Sequence, residues 1–344
     1  MSRVPREVTF RPAWWVPGPH AQTLWGKFAR RATPLPTRVE RWSTPDDDFI
    51  DVLRLDPQRS GSPRLFLLHG LEGTVRSHYV GGLLQVARAH GWGADMLIFR
   101  GCGEEPNQAP RFYHSGETED LTYAVDRVLT EHTHVDLLMC GVSLGGNVLL
   151  KWLGERGDAV PEQVRAAAAV SVPFDLERGS RYISRGFSRV YERHFLRTLR
   201  RKAETKLGRF PTLFDPIALS RARTLYEFDD VVTGPVHGFR DAHDYYARSS
   251  SMQFLSRIRR PTLLLSARDD PFLPSAVLDE VAEIARENPC LIREFTHGGG
   301  HVGFVYGSPW HPLYYAEQRV GEFLSSQLAI SRRGVRSPVA AFGR

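Results

Sequence analysis

The sequence predicts an α/β protein with a mostly parallel, doubly wound β-sheet and a helical segment inserted between two later strands. The first observation is a series of short apolar runs, which are typical of strands buried on both faces of a parallel sheet. They lie at residues 64–68, 94–99, 166–172, 262–266 and 291–295, with a further run that starts at Leu137. The second is that segments of helical periodicity separate these runs, as in βαβ units. The third is the stretch 174–254, which has a helical pattern and no convincing strand.

The remaining elements follow from the same patterns. Residues 38–43 and 49–55 alternate as an antiparallel pair around a turn-prone PDDD sequence. Helices are predicted at residues 79–90, 116–130, 144–154, 275–284 and 313–328. We therefore predict a core formed by 37–173 and 255–330, covered by a helical cap at 174–254. Residues 1–36 are expected to form an arm packed on the core, and residues 331–344 a disordered basic tail.

Composition excludes several classes of protein. The chain has 344 residues, 42% of them hydrophobic and 24% charged, as in ordinary globular proteins. Its three cysteines lack the paired spacing of a disulfide framework or a zinc site, and they suit the cytoplasm. No secretory signal is expected, because no apolar run follows Arg3 and Arg6, and no apolar run reaches the length of a membrane span. A cytoplasmic protein is expected.

The predicted cap carries an arginine at every fourth position from Arg181 to Arg201. The favoured interpretation is a solvated helix face. The alternative is peripheral contact with anionic membrane lipids or acidic partners, because the net charge of the chain is +6. No nucleic-acid partner is predicted, and the oligomeric state is left open.

The run that starts at Leu137 leads into Gly141-Val142-Ser143-Leu144-Gly145, which fits the G-x-S-x-G nucleophile elbow. A serine hydroxyl attacks well only when a base removes its proton and its oxygen stands clear of the backbone. A sharp strand-to-helix turn with flanking glycines provides that exposure. Ser143 is therefore the candidate nucleophile.

A serine nucleophile needs a histidine base and an acid that orients the histidine. In a sheet of this class they follow the serine in the order acid, then histidine, on loops after late strands. The acid is Asp269 or Asp270, with Asp175 as an outside candidate, and the base is His297 or His301. The turn before Pro271 favours Asp270, and the preceding glycines favour His301, but spacing alone leaves both pairs open.

Acyl transfer also needs donors for a developing oxyanion. The backbone N–H of Leu144 is one candidate, and the N–H of Leu71, in the loop after an early strand, is the other. Further polar side chains are predicted near the same edge, and two interpretations stay open: they line the substrate entrance, or they hold their own loop in place. The candidate substrate-binding residues are His69, Asn107, Arg111, Tyr113 and His114.

These motifs together resemble those of the α/β-hydrolases, in particular the YheT-like branch, which is similar to animal ABHD lipases and a plant embryogenesis-associated protein. The resemblance covers about residues 8–328. Its motifs are PHAQTL at 19–24, HGLEG at 69–73, RGCGEEPN at 100–107, YHSGET at 113–118, the elbow, EFDD at 227–230, HGF at 237–239, DYY at 244–246, DDPF at 269–272 and GGHVGF at 299–304. It does not extend to the role of the cap arginines.

The resemblance implies Ser143 as nucleophile, Asp270 as acid and His301 as base. It also implies hydrolysis of carboxylic esters without a cofactor or metal, on short-chain esters, monoacylglycerols or other lipids. Two alternatives stay open: an acyltransferase with an alcohol acceptor, and a non-catalytic protein that binds through its cap. A metal enzyme using His69, His297 and His301 is the weakest hypothesis.

Overall fold

The structure is a computed structural model that describes residues 10–30 and 34–334. Its strands are β1 (Thr37–Ser43), β2 (Phe49–Leu55), β3 (Arg64–Leu68), β4 (Gly93–Ile98), β5 (Leu137–Val142), β6 (Val164–Val170), β7 (Thr262–Ala267), β8 (Leu291–Thr296), β9 (Val305–Ser308) and β10 (His311–Tyr314). Its α-helices are α1 (Gly18–Ala29), α2 (His78–Ala89), α3 (Glu119–Glu131), α4 (Leu144–Arg156), α5 (Leu176–Ile183), α6 (Arg189–Arg209), α7 (Pro216–Arg221), α8 (Leu225–Phe228), α9 (Gly234–Val236), α10 (Ala242–Ser249), α11 (Ser275–Glu287) and α12 (Tyr315–Gly334).

Eight strands form one sheet in the order β1-β2-β4-β3-β5-β6-β7-β8. β1 and β2 are antiparallel and β2 pairs antiparallel with β4, whereas the pairs from β4 to β8 are parallel. All residues of β3, β5 and β7 are buried, because helices cover both faces of the sheet. The predicted α/β class with a mostly parallel sheet is confirmed.

A short hairpin was not foreseen from the sequence. β9 and β10 pair antiparallel as a separate two-stranded sheet, and the closing helix begins at Tyr315 instead of residue 313. Each strand of this hairpin has only four residues, which is too short for a clear alternation of apolar and polar residues in the sequence. The loop of this hairpin contains Trp310, one of the most exposed apolar side chains of the described residues.

The residues between β6 and β7 are helical wherever they have regular structure, and we refer to residues 174–254 as the cap. The cap has a small apolar cluster of its own, against which Leu71 and Phe112 of the core pack. Its buried members are Leu196, Leu199, Ala203, Phe214, Leu219, Phe228 and Val232. Through Leu71, this cluster rests on the loop that follows β3, at the carboxyl edge of the sheet.

The structure describes only part of the predicted N-terminal arm and of the predicted C-terminal tail. Within the predicted arm, α1 packs on the core through the fully buried Gln22. Residues 1–9 and 31–33 of that arm lie outside the described residues, as do residues 335–344 of the predicted tail. The prediction that the tail starts at residue 331 is wrong, because α12 continues to Gly334. No helix of the described residues is long and apolar enough to span a membrane.

Candidate active site

Ser143 lies in a strained turn between β5 and α4. Its φ of 54° is unusual for a residue with a side chain, and its N–H donates to Val170 O at 2.8 Å. A Cβ on Gly145 would stand 2.5 Å from the carbonyl oxygens of Leu68 and His69, so glycine is required for strand and helix to approach. The turn therefore projects the hydroxyl of Ser143 from the carboxyl edge of the sheet, into the cavity described below.

Ser143, His301 and Asp270 form one hydrogen-bonded chain. His301 Nε2 lies 2.9 Å from Ser143 Oγ, and His301 Nδ1 lies 2.9 Å from Asp270 Oδ2. Asp270 Oδ1 accepts a hydrogen bond from Phe272 N at 2.8 Å, and the Phe272 ring stacks on the imidazole at 4.1 Å between centroids. Because a carboxylate only accepts, Nδ1 donates to Asp270, and in a neutral imidazole this leaves Nε2 as the acceptor that faces the serine.

The neighbouring carboxylate of Asp269 serves a different contact. Its Oδ1 accepts a hydrogen bond from Gly300 N at 2.9 Å, one residue before His301. Asp270, in contrast, is only 5% exposed and points at the imidazole. The structure thus separates the two adjacent aspartates, which spacing had left open: Asp269 shapes the histidine loop, and Asp270 contacts the histidine.

The other candidates for acid and base do not reach the serine. His297 is exposed to solvent and does not line the cavity that contains Ser143. Asp175 caps the N-terminus of α5, where its side chain accepts from Arg178 N at 2.9 Å and pairs with the Arg178 guanidinium. Asp175 therefore has a structural role, and His297 stands apart from the site.

The loop that carries His301 is held by the N-terminal arm. His301 N donates to Thr23 Oγ1 at 2.9 Å, and Thr23 Oγ1 in turn donates to Pro19 O at 2.7 Å. The Gln22 side chain accepts from Val305 N and donates to Val305 O. Sequence reasoning missed this role, although the PHAQTL motif, which contains both residues, was the available signal.

The two predicted oxyanion donors face the same cavity as Ser143. Leu71 and Leu144 both line it, and neither backbone N–H has a hydrogen-bond acceptor among the described residues. The preceding N–H, of Gly70, is occupied by Tyr79 Oη at 2.9 Å. The loop after β3 therefore offers one unengaged donor at the position where a second oxyanion contact is needed.

His69 is not a substrate-binding residue, which corrects the prediction from sequence. Its side chain is fully buried; Nδ1 donates to Gly70 O at 2.8 Å, and Nε2 accepts from Phe99 N at 3.1 Å. Burial lowers the pKa of His69 to about 4, so the imidazole is neutral at pH 7. His69 links the ends of β3 and β4 and supports the loop that contains Leu71.

Asn107 and Arg111 were also predicted to bind substrate, and this is corrected because neither residue lines the cavity. Asn107 is 1% exposed and donates to Asp48 Oδ2 at 2.7 Å. Arg111 pairs with Asp120 and Glu119 at 3.0 and 2.7 Å. Both side chains tie their own loop to the protein core, which was the structural alternative at the sequence level.

Tyr113 and His114 do line the cavity. Tyr113 Oη donates to Glu72 Oε1 and accepts from Glu72 N, both at 2.8 Å, so its hydroxyl is engaged with the loop after β3. Burial is the main cause that holds the pKa of His114 well below its usual value. His114 Nδ1 accepts from Gly116 N, so this imidazole is a neutral wall of the cavity.

A single large cavity of about 1400 Å³ contains Ser143, Leu71, Leu144 and His301. This exceeds the roughly 300–1,000 Å³ of typical small-molecule pockets. The cavity lies between the core loops and the cap, and much of its wall is apolar. The apolar lining includes Leu176, Ile183, Phe195, Leu199, Phe228 and Phe272. It can accept a ligand with a long hydrocarbon part next to the serine.

A hydrogen-bonded group of three polar side chains lies in this wall on the cap side. Asp229, in a π-helical turn, accepts hydrogen bonds from Tyr246 Oη and Thr233 Oγ1, both at 2.6 Å. All three residues line the cavity. Burial raises the pKa of Asp229 to about 6 despite these two donors.

The hypothesis of a metal site finds no ligand set. Within the described residues, no group of three or more histidine, cysteine, aspartate or glutamate side chains is placed to bind a metal ion. His297 is exposed, whereas both ring nitrogens of His69 are engaged with the backbone. His301 has its own partners in Asp270 and Ser143.

The elbow, the late acid and histidine loops, and the parallel sheet define an α/β-hydrolase. The chain belongs to this family: residues 63–308 match the family model described as the alpha/beta hydrolase fold. The chain is 39% identical over 314 residues to the Escherichia coli (strain K12) protein YheT, whose name marks it as a proposed esterase; the match covers 90% of this chain and 91% of YheT.

A second relative is the mouse phospholipase ABHD3, which is 30% identical over 93% of this chain and 79% of its own length. Among solved structures, the Pyrococcus furiosus esterase Pf2001 has a TM-score of 0.56 at 17% identity, over 86% of this chain and 96% of that one. The latter likeness concerns the fold. The resemblance to the YheT-like α/β-hydrolases is confirmed, as is the expectation of an enzyme of the esterase and lipase type.

Proposed function

We propose that this enzyme hydrolyses carboxylic esters through a Ser143–His301–Asp270 triad. The observation that carries the proposal is the continuous hydrogen-bonded chain from Asp270 through His301 to Ser143, with 2.9 Å at each step. These are the distances at which a histidine can take a proton from a serine while a carboxylate stabilises the resulting imidazolium.

In this mechanism His301 Nε2 removes the Ser143 proton as Oγ attacks the ester carbonyl. The tetrahedral oxyanion accepts hydrogen bonds from the N–H groups of Leu71 and Leu144. His301 then gives its proton to the leaving alcohol, and an acyl-enzyme remains on Ser143. A water molecule, deprotonated by His301, attacks the acyl carbonyl, and collapse of the second intermediate releases the acid and restores the hydroxyl.

The proposed substrates are esters with a substantial hydrocarbon part, such as medium-chain esters or monoacylglycerol-like lipids. The size and the apolar wall of the cavity support this class. The phospholipase name of a 30% identical relative agrees with an acyl-lipid substrate. Cytoplasmic location stays a prediction from the sequence.

The test combines labelling with an activity series. A fluorophosphonate probe is expected to label the wild-type protein at Ser143 and to leave Ser143→Ala unlabelled. Hydrolysis of p-nitrophenyl esters and monoacylglycerols should fall at least about a thousandfold in Ser143→Ala. Absence of labelling and of hydrolysis in folded wild-type protein would contradict the proposal. Product analysis with added alcohol separates hydrolysis from acyl transfer, which the same triad can also perform.

A further inference from the structure

Large apolar side chains remain exposed around the cavity that contains Ser143. Among the described residues, ten large apolar side chains are exposed, and five of them line this cavity. They are Phe28, Val75, Phe187, Val190 and Trp310, and Phe28 and Trp310 are 76% and 80% exposed. Scattered exposed apolar residues are ordinary, but a group of them around one opening indicates an interaction surface.

These residues come from four separate parts of the chain. Phe28 is on α1, Val75 is in the loop after β3, and Trp310 is in the loop of the β9–β10 hairpin. Val190 lies in the first turn of α6, and Phe187 lies in the short 3₁₀ turn Gly186–Ser188 that precedes this helix. Lys27 Nζ lies 3.2 Å from His194 Nε2, so α1 and α6 meet beside the opening. The tertiary structure thus brings these separate segments to the wall of one cavity.

The exposed side of α6 next to this opening is basic. Positions three and four residues apart share one helix face, so Val190 lies with Arg193, His194, Arg197 and Arg201. All five are exposed. The pKa of His194 is lowered by burial first and then by the nearby positive charges of Lys27 and Arg197, whereas Glu72 acts in the opposite direction.

The charges on this face are not neutralised within the protein. No acidic side chain of the described residues lies within 4 Å of the guanidinium of Arg193, Arg197 or Arg201. Arg76, in the loop that also carries Val75, is exposed and lacks an ion pair in the same way. Arginines at i and i+4 repel one another, so this face is complementary to an external layer of negative charge.

We propose that this surface, formed by Phe28, Val75, Phe187, Val190, Trp310 and the arginines 76, 193, 197 and 201, docks on an anionic lipid surface. The apolar side chains insert into the headgroup region, and the arginines contact lipid phosphates. The cavity then opens toward the lipid, which gives a direct path for an acyl chain to Ser143. This last step rests on the proposed function, whereas docking itself does not.

The first experiment measures binding of the full chain to vesicles by co-sedimentation. Vesicles of phosphatidylcholine alone are compared with vesicles containing about 30% phosphatidylglycerol. We expect binding to the anionic vesicles at least about tenfold stronger, and weaker binding as salt rises. Equal binding to both compositions, or binding to neither, overturns the proposal.

The matched variants carry equal changes of charge. Arg193→Glu with Arg197→Glu should reduce binding to anionic vesicles at least tenfold. The control, Arg59→Glu with Arg88→Glu, changes two exposed arginines near the opposite edge of the sheet and should bind like wild type. Equal loss of binding in both double variants would show that only the net charge of the protein matters, and it would overturn the assignment of this surface.

Trp310 supplies a reporter that needs no activity. Its fluorescence should shift to shorter wavelength on anionic vesicles, and the shift should be lost in Trp310→Phe. Three outcomes assign the surface elsewhere and overturn the proposal: an unchanged shift in Trp310→Phe, a dimer that Trp310→Ser abolishes, or tighter binding to an RNA duplex than to vesicles.

Activity separates this proposal from the proposed function. The Arg193→Glu, Arg197→Glu variant should keep wild-type hydrolysis of a soluble short-chain ester but lose hydrolysis of esters embedded in anionic vesicles. Vesicle binding without any hydrolysis would contradict the proposed function and leave docking intact. Hydrolysis of both substrates without vesicle binding would contradict docking and leave the proposed function intact.

Discussion

Lys202 Nζ lies 2.6 Å from Glu72 Oε1 and joins the cap helix α6 to the loop that follows β3. Lys202 is on the cap, and Glu72 directly follows Leu71, one of the proposed oxyanion donors. Glu72 has a φ of 54°, a strained value for a residue with a side chain, and Tyr113 Oη contacts both its N–H and its carboxylate. The position of the Leu71 N–H therefore depends on a contact made by the cap.

Replacement of Lys202 by Met should lower kcat about tenfold and leave the fold intact. The change removes the only cation within 4 Å of Glu72 among the described residues and leaves the strained loop less constrained. The loss is smaller than the roughly 10²–10³-fold effect of deleting an oxyanion donor, because the N–H is retained. Steady-state kinetics with a soluble ester measure it.

Lys151→Met is the matched control for Lys202→Met. It breaks an ion pair of the same 2.6 Å length with Glu155 on α4, away from the loop after β3. Its kcat should stay close to that of wild type. Equal losses in the two variants would show that the Lys202 effect is general destabilisation and not control of the loop.

The adjacent aspartates should differ strongly in their effect on activity. Asp270→Asn is expected to lower kcat by about 10⁴, the size known for replacing the acid of a serine protease triad, because it disturbs the tautomer of His301. In Asp269→Asn the amide oxygen still accepts from Gly300 N, so kcat should fall less than tenfold. Kinetics of both variants measure the difference, and similar losses would contradict the assignment.

The elbow could be predicted because its geometry is local. A Cβ on Gly141 would stand 2.4 Å from Gly145 O, within the turn itself, and Gly145 leaves room for the carbonyl oxygens of Leu68 and His69. The order of acid and histidine is likewise a property of the topology. Asp269 and Asp270 could not be distinguished, because their directions are set by hydrogen bonds to Gly300 and Phe272, which spacing does not reveal.

Long-range contacts explain the residues that were assigned wrongly. Asn107 was expected near the substrate, but its partner is Asp48, 59 residues earlier in the chain. Thr23 contacts His301 across 278 residues. Sequence patterns report periodicity and turns, whereas such pairings arise only when distant segments pack together. Fold and triad candidates were therefore accessible from sequence, together with Leu71, Leu144, Tyr113 and His114 of the cavity wall, whereas the part of the wall that the cap supplies was not.

Acid sensitivity of the fold should depend in part on His237. Burial lowers the pKa of His237 to about 4, from 6.5 in the unfolded chain. The unfolded state therefore binds more protons between pH 6.5 and 4, so stability is fully present above pH 6.5 and is lost as pH falls through this window. His237→Phe keeps the contact with Phe112 but cannot titrate.

We expect the difference in unfolding free energy between pH 7 and pH 4.5 to be smaller in His237→Phe by up to about 2.5 kcal/mol. Urea unfolding at the two pH values measures it. His243→Phe is the control, because His243 is largely exposed, with 64% of its side chain accessible to solvent. An unchanged pH dependence in His237→Phe would show that this imidazole is not held neutral by the fold.

Thr23 should affect catalysis through the position of His301. Thr23→Val keeps the shape of the side chain but removes the oxygen that accepts from His301 N, and with it the bond to Pro19 O. A backbone N–H left without a partner in a partly buried loop costs about 1–3 kcal/mol, and movement of the loop relieves that cost at the expense of the distance from His301 to Ser143. We expect kcat to fall about five- to tenfold with KM little changed. Thr23→Ser retains the hydroxyl and should retain activity, so equal kinetics of the valine and serine variants would contradict this role for the arm.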